Sequence, residues 1–289
     1  MKVLMTGASG FIGAHLTRHL EAAGHQVFPV SRTAGKGGYD WSDASLRKGV
    51  EDTDAVIHLA GENLFGRRWT AKQKAVLWSS RHDTTTRLAA LVAARRPSCF
   101  MTASAVGYYG ASDDTTFHEG SPPGKGFLAD LCVDWEASTA AAVNAGVRSV
   151  IVRTGVVLGK GGGALAQMLT PFKLGLGGPL GSGRQWVSWI HIDDLTALYT
   201  FLLEAPHAVG PYNGTAPNPV TMTEFATALG QALHRPAVLP VPGIALRLAL
   251  GEVADVLLTG QRVRPRRALE SGFTFRFPEI GEAFRNIVG

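Results

Sequence analysis

Near the start of the chain, Thr6-Gly7-Ala8-Ser9-Gly10-Phe11-Ile12-Gly13 sets three glycines at a spacing suited to holding an anion. Gly7 permits a sharp turn, Gly10 lets the backbone approach a pyrophosphate, and Gly13 lets a helix pack closely on the preceding strand. A helix opening at Phe11 presents unpaired N–H groups, with Ser9 and Ile12 beside them, and about half a unit of positive charge to phosphate oxygens. About twenty residues on, where NAD-binding turns place a carboxylate on the ribose hydroxyls, the chain has Ser31 and Arg32. A carboxylate would repel a 2′-phosphate, whereas a guanidinium binds one bidentately and a hydroxyl adds a hydrogen bond. The pair therefore favours NADP(H) over NAD(H); the alternative is a surface Arg32 with a loosely held adenosine.

These residues need elements to position them. Apolar runs at residues 3–5, 27–30, 55–59, 99–102 and 149–152 alternate with helical spacing of apolar residues at 11–23, 70–94 and 127–145. Strand and helix repeated this way predict an α/β fold: a Rossmann-type doubly wound parallel sheet, with ligands at the carboxyl ends of the strands. Clustered glycines between Gly159 and Gly183 and frequent prolines from Pro206 to Pro242 mark a change of character. The reading is a nucleotide-binding domain over 1–214, with 160–186 an excursion toward the substrate, and a smaller, mainly helical C-terminal lobe over 215–289. With 45% hydrophobic and 18% charged residues the chain is an ordinary globular protein and not a disordered one. A net charge of +5 spread along the sequence does not call for nucleic acid. The cluster Arg262, Arg264, Arg266 and Arg267 reads as a solvated face before a phosphate site. Cys99 and Cys132 are too few for a disulfide framework or a zinc site, which fits a reducing, cytoplasmic compartment. A strand beginning at Lys2 leaves no room for a leader peptide, and Arg247, Glu252 and Asp255 interrupt the apolar stretch 243–258, so no membrane span is expected.

At this point the sequence resembles the extended short-chain dehydrogenase/reductase superfamily, the group of nucleotide-sugar epimerases and dehydratases, over nearly its whole length. Asp40-Trp41-Ser42-Asp43 resembles the segment that holds adenine, and Asp54-Ala55-Val56-Ile57-His58-Leu59-Ala60-Gly61 the strand whose end touches the cofactor. Trp189-Ile190-His191-Ile192-Asp193-Asp194 resembles the later strand-to-helix junction. More narrowly the chain is similar to an epimerase-like branch that includes proteins labelled cell-division inhibitors. The matching features are Gly61-Glu62-Asn63, Arg68-Trp69-Thr70, Ser80-Arg81, Ser104-Ala105-Val106-Gly107-Tyr108-Tyr109-Gly110, Asp134-Trp135-Glu136, and the segment around Gln261, Pro265 and Gly272-Phe273. The resemblance implies cofactor contacts from Asp40, Trp41, Leu59, Ala60, Gly61 and Arg81, the last standing where the superfamily carries an asparagine.

It also implies a gap. In the superfamily a serine after the fifth strand holds the substrate oxygen, and a tyrosine and a lysine four residues apart exchange its proton. Ser104 matches the serine, but an alignment anchored on Glu136 puts Leu128 at the tyrosine and Cys132 at the lysine. A tyrosine of pKa near 10 must fall by about three units, roughly 4 kcal/mol, to act as a base near neutrality, and a buried thiol supplies no charge to help it. Tyr108 and Glu119 are the candidate replacements, with Tyr109, His118 and Asp130 nearby; each also reads as packing or solvated surface. Arg81 either meets a substrate anion or pairs with Glu62 or Asp83. His191, Trp186 and Trp189 read as core or junction residues.

Two functional classes stay open. One is an NADP(H)-dependent oxidoreductase or epimerase-like enzyme, with Ser104 polarising a carbonyl. Its small-molecule substrate lies under 160–183 and the C-terminal lobe, where Lys160, Lys173 and Arg184 suit an anionic group. The other is a catalytically silent NADP(H)-sensing regulatory protein. Analogy with similar proteins adds a homodimer through paired helices.

Overall fold

The computed structural model describes residues 1–289 except Ala34 and Lys36. In chain order the first half runs β1 (Lys2–Thr6), α1 (Phe11–Ala22), β2 (Gln26–Ser31), β3 (Tyr39–Asp40), α2 (Asp43–Glu51), β4 (Ala55–His58), α3 (Ala71–Arg95) and β5 (Cys99–Ala105). A 3-10 turn at Val106–Tyr109 leads to β6 (Thr116–Phe117), α4 (Phe127–Ala137), α5 (Ala140–Asn144), β7 (Ser149–Thr154), β8 (Val156–Leu158) and α6 (Gly163–Lys173). Then follow β9 (Trp186–Val187), β10 (Trp189–His191), α7 (Ile192–Glu204), β11 (Gly210–Gly214), β12 (Val220–Thr221) and α8 (Met222–Leu233). The chain ends with α9 (Gly243–Leu250), α10 (Ala254–Leu258), β13 (Arg262–Val263), α11 (Arg266–Glu270) and α12 (Ile280–Val288).

Seven strands form one parallel sheet in the order β11-β7-β5-β4-β1-β2-β3, and the order in which strands are added switches sides between β1 and β4. Successive side chains serve opposite faces. Val3, Met5, Ala55 and Ile57 pack with Leu16 and Leu20 of α1 and Leu195 and Leu198 of α7, while Leu4, Val56 and Phe100 pack with α2, α3 and α5. Burial on both faces is what parallel strands need, and it explains their unbroken apolar runs.

A second core joins Leu165 and Phe172 of α6 to Phe225 and Leu229 of α8 and Phe284 and Ile287 of α12. The glycine-rich excursion is thus built into the C-terminal lobe. Asp194 ties the two cores, because its buried carboxylate accepts from the backbone N–H groups of Arg276 (2.8 Å) and Phe277 (2.9 Å). The sequence predicted one helix over 127–145; it is broken between α4 and α5. Ser138 and Thr139 hydroxyls donate to the Trp135 and Glu136 carbonyls there, competing with the helix ladder. Among the described residues no helix is long and apolar enough to cross a membrane.

Candidate cofactor and active site

The glycine turn lies at the carboxyl end of β1. Gly7 has φ +73°, and a Cβ on it would meet the Ala60 nitrogen at 2.9 Å; one on Gly13 would lie 2.1 Å from the Gly7 carbonyl oxygen. Gly10 is exposed and its nearest such contact is 3.3 Å, leaving its outer side open. Helices α2, α3, α7 and α8 are capped by Ser42, Thr70, His191 and Thr221, whereas no side chain caps α1. The first-turn amides of Phe11, Ile12 and Gly13 are therefore left for an outside acceptor, with exposed Ser9 beside them. This donor set fits a pyrophosphate.

At the end of β2, Arg32 is exposed and the Ser31 hydroxyl donates to the Thr33 carbonyl. Asp40 ends β3 and Trp41 follows it. The Asp40 carboxylate accepts from the hydroxyl (2.6 Å) and amide (2.9 Å) of Ser42, which hold it below the ordinary carboxylate range and turn the chain into α2. Arg87 of α3 donates to the Trp41 carbonyl at 2.7 Å and pairs with Asp43. The Trp41 ring stands edge-on to His58, 6.3 Å between centroids.

Leu59, Ala60 and Gly61 continue from β4 alongside the glycine turn. The buried Thr6 hydroxyl stitches the two together, receiving the Ala60 N–H at 3.2 Å and lying 2.6 Å from His58 Nδ1. Burial and the neighbouring Arg81 charge push His58 down to about 3, so the ring is neutral at physiological pH. Arg81 lies against Gly61, buried and donating to the Leu77 (3.1 Å) and Glu62 (2.9 Å) carbonyls. It pairs with neither carboxylate considered for it: Asp83 meets His82 at 3.1 Å, and Glu62 offers its backbone oxygen.

The end of β5 holds a polar network that the sequence did not reveal. Ser104 lies within the strand and is 3% exposed. Its oxygen is 2.7 Å from Glu136 Oε1, while Arg153 of β7 reaches both Glu136 oxygens at 2.8 Å. A carboxylate only accepts, so the Ser104 proton points at Glu136. Polarising a carbonyl needs that proton, and in this geometry it is already committed.

Arg153 Nη1 also donates to the Tyr109 hydroxyl (3.0 Å), which in turn donates to Asn213 Oδ1 of β11 (2.7 Å). Burial opposes charge on Arg153, but Glu136 and Tyr109 together outweigh it and hold the guanidinium above the ordinary arginine range. Burial pushes Tyr109 up to about 12, so it stays protonated and is no base near neutrality, and its proton is committed to Asn213.

Glu119, the other candidate replacement, is 5% exposed, and its Oε1 accepts the backbone N–H groups of Asn213 (3.0 Å) and Arg267 (3.2 Å). It clamps β11 to α11. Tyr108 keeps partial exposure, and its ring lies 3.4 Å from the Arg153 guanidinium carbon. Leu128 and Cys132 both face Gly107 from α4. Burial and Glu136 push the Cys132 thiol up to about 11, so it stays protonated.

Residues farther out are spread apart. Lys160 and Lys173 line a cavity of about 290 Å³ with Ile287 and Val288 of α12, and Arg184 is exposed. His118 Nδ1 accepts the Gly120 amide, and Asp130 is exposed on α4. His191 caps α7 and lies on Phe277, and Trp189 is fully buried. The C-terminal arginines separate: Arg262 covers Trp186, Arg266 pairs with Glu270 and Arg267 covers Tyr212.

Comparison with known proteins agrees with this architecture. The family model described as the NAD dependent epimerase/dehydratase family matches residues 3–214, and a domain of unknown function (DUF1731) matches 241–287. The epimerase family protein SDR39U1 of Mus musculus is 45% identical over 294 residues, covering 100% of both chains. The epimerase family protein YfhF of Bacillus subtilis is 38% identical, covering 100% of this chain and 98% of its own. The crystal structure of human epimerase family protein SDR39U1 (isoform2) with NADPH has a TM-score of 0.95 at 43% identity, covering 100% of this chain and 99% of that one. Thermus thermophilus UDP-glucose 4-epimerase, in complex with NAD, has a TM-score of 0.78 at 20% identity, covering 100% and 98%, and shares the fold.

Proposed function

Because the chain belongs to the NAD dependent epimerase/dehydratase family, we propose that it binds NADP(H) and works as an oxidoreductase or epimerase-like enzyme without a tyrosine–lysine pair. The observation that carries the reading is the uncapped start of α1, with three first-turn amides open and Arg32 exposed at the end of the neighbouring strand. The human relative crystallised with NADPH supports it. In this reading the amides of Phe11, Ile12 and Gly13 hold the pyrophosphate, Arg32 the 2′-phosphate, Trp41 the adenine, and the backbone of 59–61 the ribose beyond. When bound, the nicotinamide supplies or takes up a hydride at C4.

Tyr108 is the proton donor of this reading. It is the member of the trio Ser104, Tyr108 and Glu119 that keeps solvent access, and the Arg153 guanidinium beside its ring is in place to stabilise charge developing on its oxygen. Ser104 serves as an anchor of α4 on β5 through Glu136, and Glu119 as a clamp. The test is nicotinamide absorbance of the NADPH-loaded protein across a panel of carbonyl compounds and nucleotide sugars. Turnover by the native chain, lowered at least about 100-fold by Tyr108→Phe with NADPH affinity unchanged, is the expected result.

One observation favours a second reading: Leu128 and a protonated Cys132 leave nothing at the usual pair to move a proton. In that case the chain is an NADP(H)-sensing regulatory protein. Tight NADPH binding, no turnover with any compound of the panel, and a partner captured only in the loaded state would decide for it.

A further inference from the structure

Helix α9 (Gly243–Leu250) has the sequence Gly-Ile-Ala-Leu-Arg-Leu-Ala-Leu, with one charge in eight residues, and none of the eight is buried. A helix of this composition ordinarily turns its apolar side onto a core. Here Ile244 and Leu248, one turn apart on the same side, are 74% and 75% exposed. The Arg68 guanidinium fastens the end of the helix by donating to the Leu248 (2.7 Å) and Ala249 (2.8 Å) carbonyls. Its hold is on the backbone, and the apolar side chains are left out.

The apolar surface extends beyond α9. Arg235 Nε donates to the Lys173 carbonyl (3.1 Å), the Leu239 amide to the Gly177 carbonyl (3.2 Å) and the Val241 amide to the Pro179 carbonyl (2.9 Å), which lays 235–241 alongside 173–179. That pairing places Leu174, Leu176, Val238 and Leu239 in one region, and all four are exposed. Among the described residues, no large apolar side chain outside α9 and these two segments is more than 52% exposed, the value at Val143. Such a concentration marks a contact surface, since ordinary exposed apolar residues are scattered singly.

The charges of this surface have one sign. Residues 154–192 hold Lys160, Lys173 and Arg184 without an aspartate or glutamate, and residues 225–251 hold Arg235 and Arg247 without one. The carboxylates just beyond α9 are already engaged, Asp255 by Arg247 (3.1 Å) and Glu252 by Lys74 (2.5 Å). Lys173, Arg184 and Arg235 are exposed and form no ion pair among the described residues. A second copy seated here would set these cations against their own counterparts, because a two-fold interface uses the same patch twice. Side chains three-quarters exposed stand out of the surface, which suits a soft interface that closes around them. A bilayer with anionic headgroups supplies both halves of the match: phosphates at the level of the cations and an apolar boundary beneath. No helix among the described residues is long and apolar enough to cross a membrane, so the contact is peripheral.

We propose that α9 and the paired segments 173–179 and 235–241 dock the protein onto an anionic lipid bilayer. Ile244, Leu248 and Val238 enter the boundary between headgroups and acyl chains, while Lys173 and Arg235 meet the phosphates. This goes beyond the NADP(H) reading and does not depend on it.

The test is co-sedimentation of the full-length chain with vesicles of phosphatidylcholine alone or of phosphatidylcholine with an equal part of phosphatidylglycerol. The expected result is binding to the anionic vesicles at least about tenfold tighter than to the neutral ones, and release by high salt. Ile244→Ser combined with Leu248→Ser should weaken it at least about tenfold, and Val238→Ser and Lys173→Glu at least about threefold each. These side chains are exposed, so melting temperatures should match that of the native chain; Val238→Ser, outside α9, keeps the test decisive if the double variant alone melts early. The proposal is overturned if anionic vesicles sediment no protein, or if neutral vesicles sediment as much. It is equally overturned if the serine variants bind like the native chain, which would reduce the contact to charge alone. Light scattering that finds a native dimer, dissolved by the same serine variants, would assign the surface to a second copy and overturn it too.

Discussion

Through one guanidinium, Arg153 joins β5, α4, β11 and the turn after β5, so its pairing with Glu136 has a stability consequence of its own. Removing one partner of a buried ion pair leaves the other charge uncompensated. Glu136→Gln is expected to lower unfolding free energy by about 3 kcal/mol in urea denaturation; a loss under about 1 kcal/mol would show that the pair does not hold α4 to the sheet. His58 makes a pH prediction. Its folded pKa is depressed to about 3 by burial and Arg81, while the unfolded ring takes a proton near 6.5. Its contribution is therefore fully present above pH 6.5 and is lost as pH falls from there toward 3, by up to about 1.4 kcal/mol per pH unit. His58→Asn should flatten denaturation midpoints between neutral and acid pH relative to the native chain; parallel pH curves would contradict this. At this scale the glycine turn was legible because backbone geometry demands glycine whatever surrounds it. The Glu136–Arg153 pair was not, since its partners stand 17 residues apart on α4 and β7 and meet only when both pack. Glu119 was misread for the same reason: His118-Glu119-Gly120 looks like solvated loop until β11 and α11 close over it.

Elements with strong period were the legible ones. The strands of the central sheet announce themselves as apolar runs, and α1 and α3 by their helical spacing. β11 carries Gly210-Pro211-Tyr212-Asn213-Gly214, a composition of turn residues, and becomes a strand because β7 offers it a parallel edge. The glycine-rich excursion is fitted around Phe11. Cβ atoms on Gly159, Gly162 and Gly163 would lie 3.0, 2.4 and 3.1 Å from its ring. The start of α1 and the segment leading into α6 therefore share one packed contact. Gly162→Ala is expected to destabilise by about 1–3 kcal/mol and to weaken NADPH binding, because the ring must shift at the helix terminus that receives the pyrophosphate. Calorimetry and thermal melting of this variant check it; unchanged melting and unchanged affinity would mean the contact is slack. Gly13→Ala, only 2.1 Å from the Gly7 carbonyl oxygen, is expected to be the more damaging change by both readouts.

At the scale of the whole molecule, the C-terminal lobe is carried by a few polar fasteners. The Asp194 carboxylate holds two backbone amides beyond α11, and the Ser188 hydroxyl donates to the Gln261 carbonyl and accepts from the Val263 amide. Asp194→Ala strands one buried and one part-buried backbone donor and is expected to cost about 3 kcal/mol in chemical denaturation; a neutral result would mean that packing alone seats the lobe. In the proposed reading the carboxyl ends of the strands receive the cofactor and the lobe covers the substrate. The claim underneath it is that a 2′-phosphorylated dinucleotide rests on the α1 amides and on Arg32. Calorimetric titration of the native chain and Arg32→Ala with NADPH and NADH tests this most directly. The expected result is NADPH binding at least about tenfold tighter than NADH, with the preference lost in Arg32→Ala. Absence of heat with both nucleotides would contradict it, and so would a preference that survives the loss of Arg32.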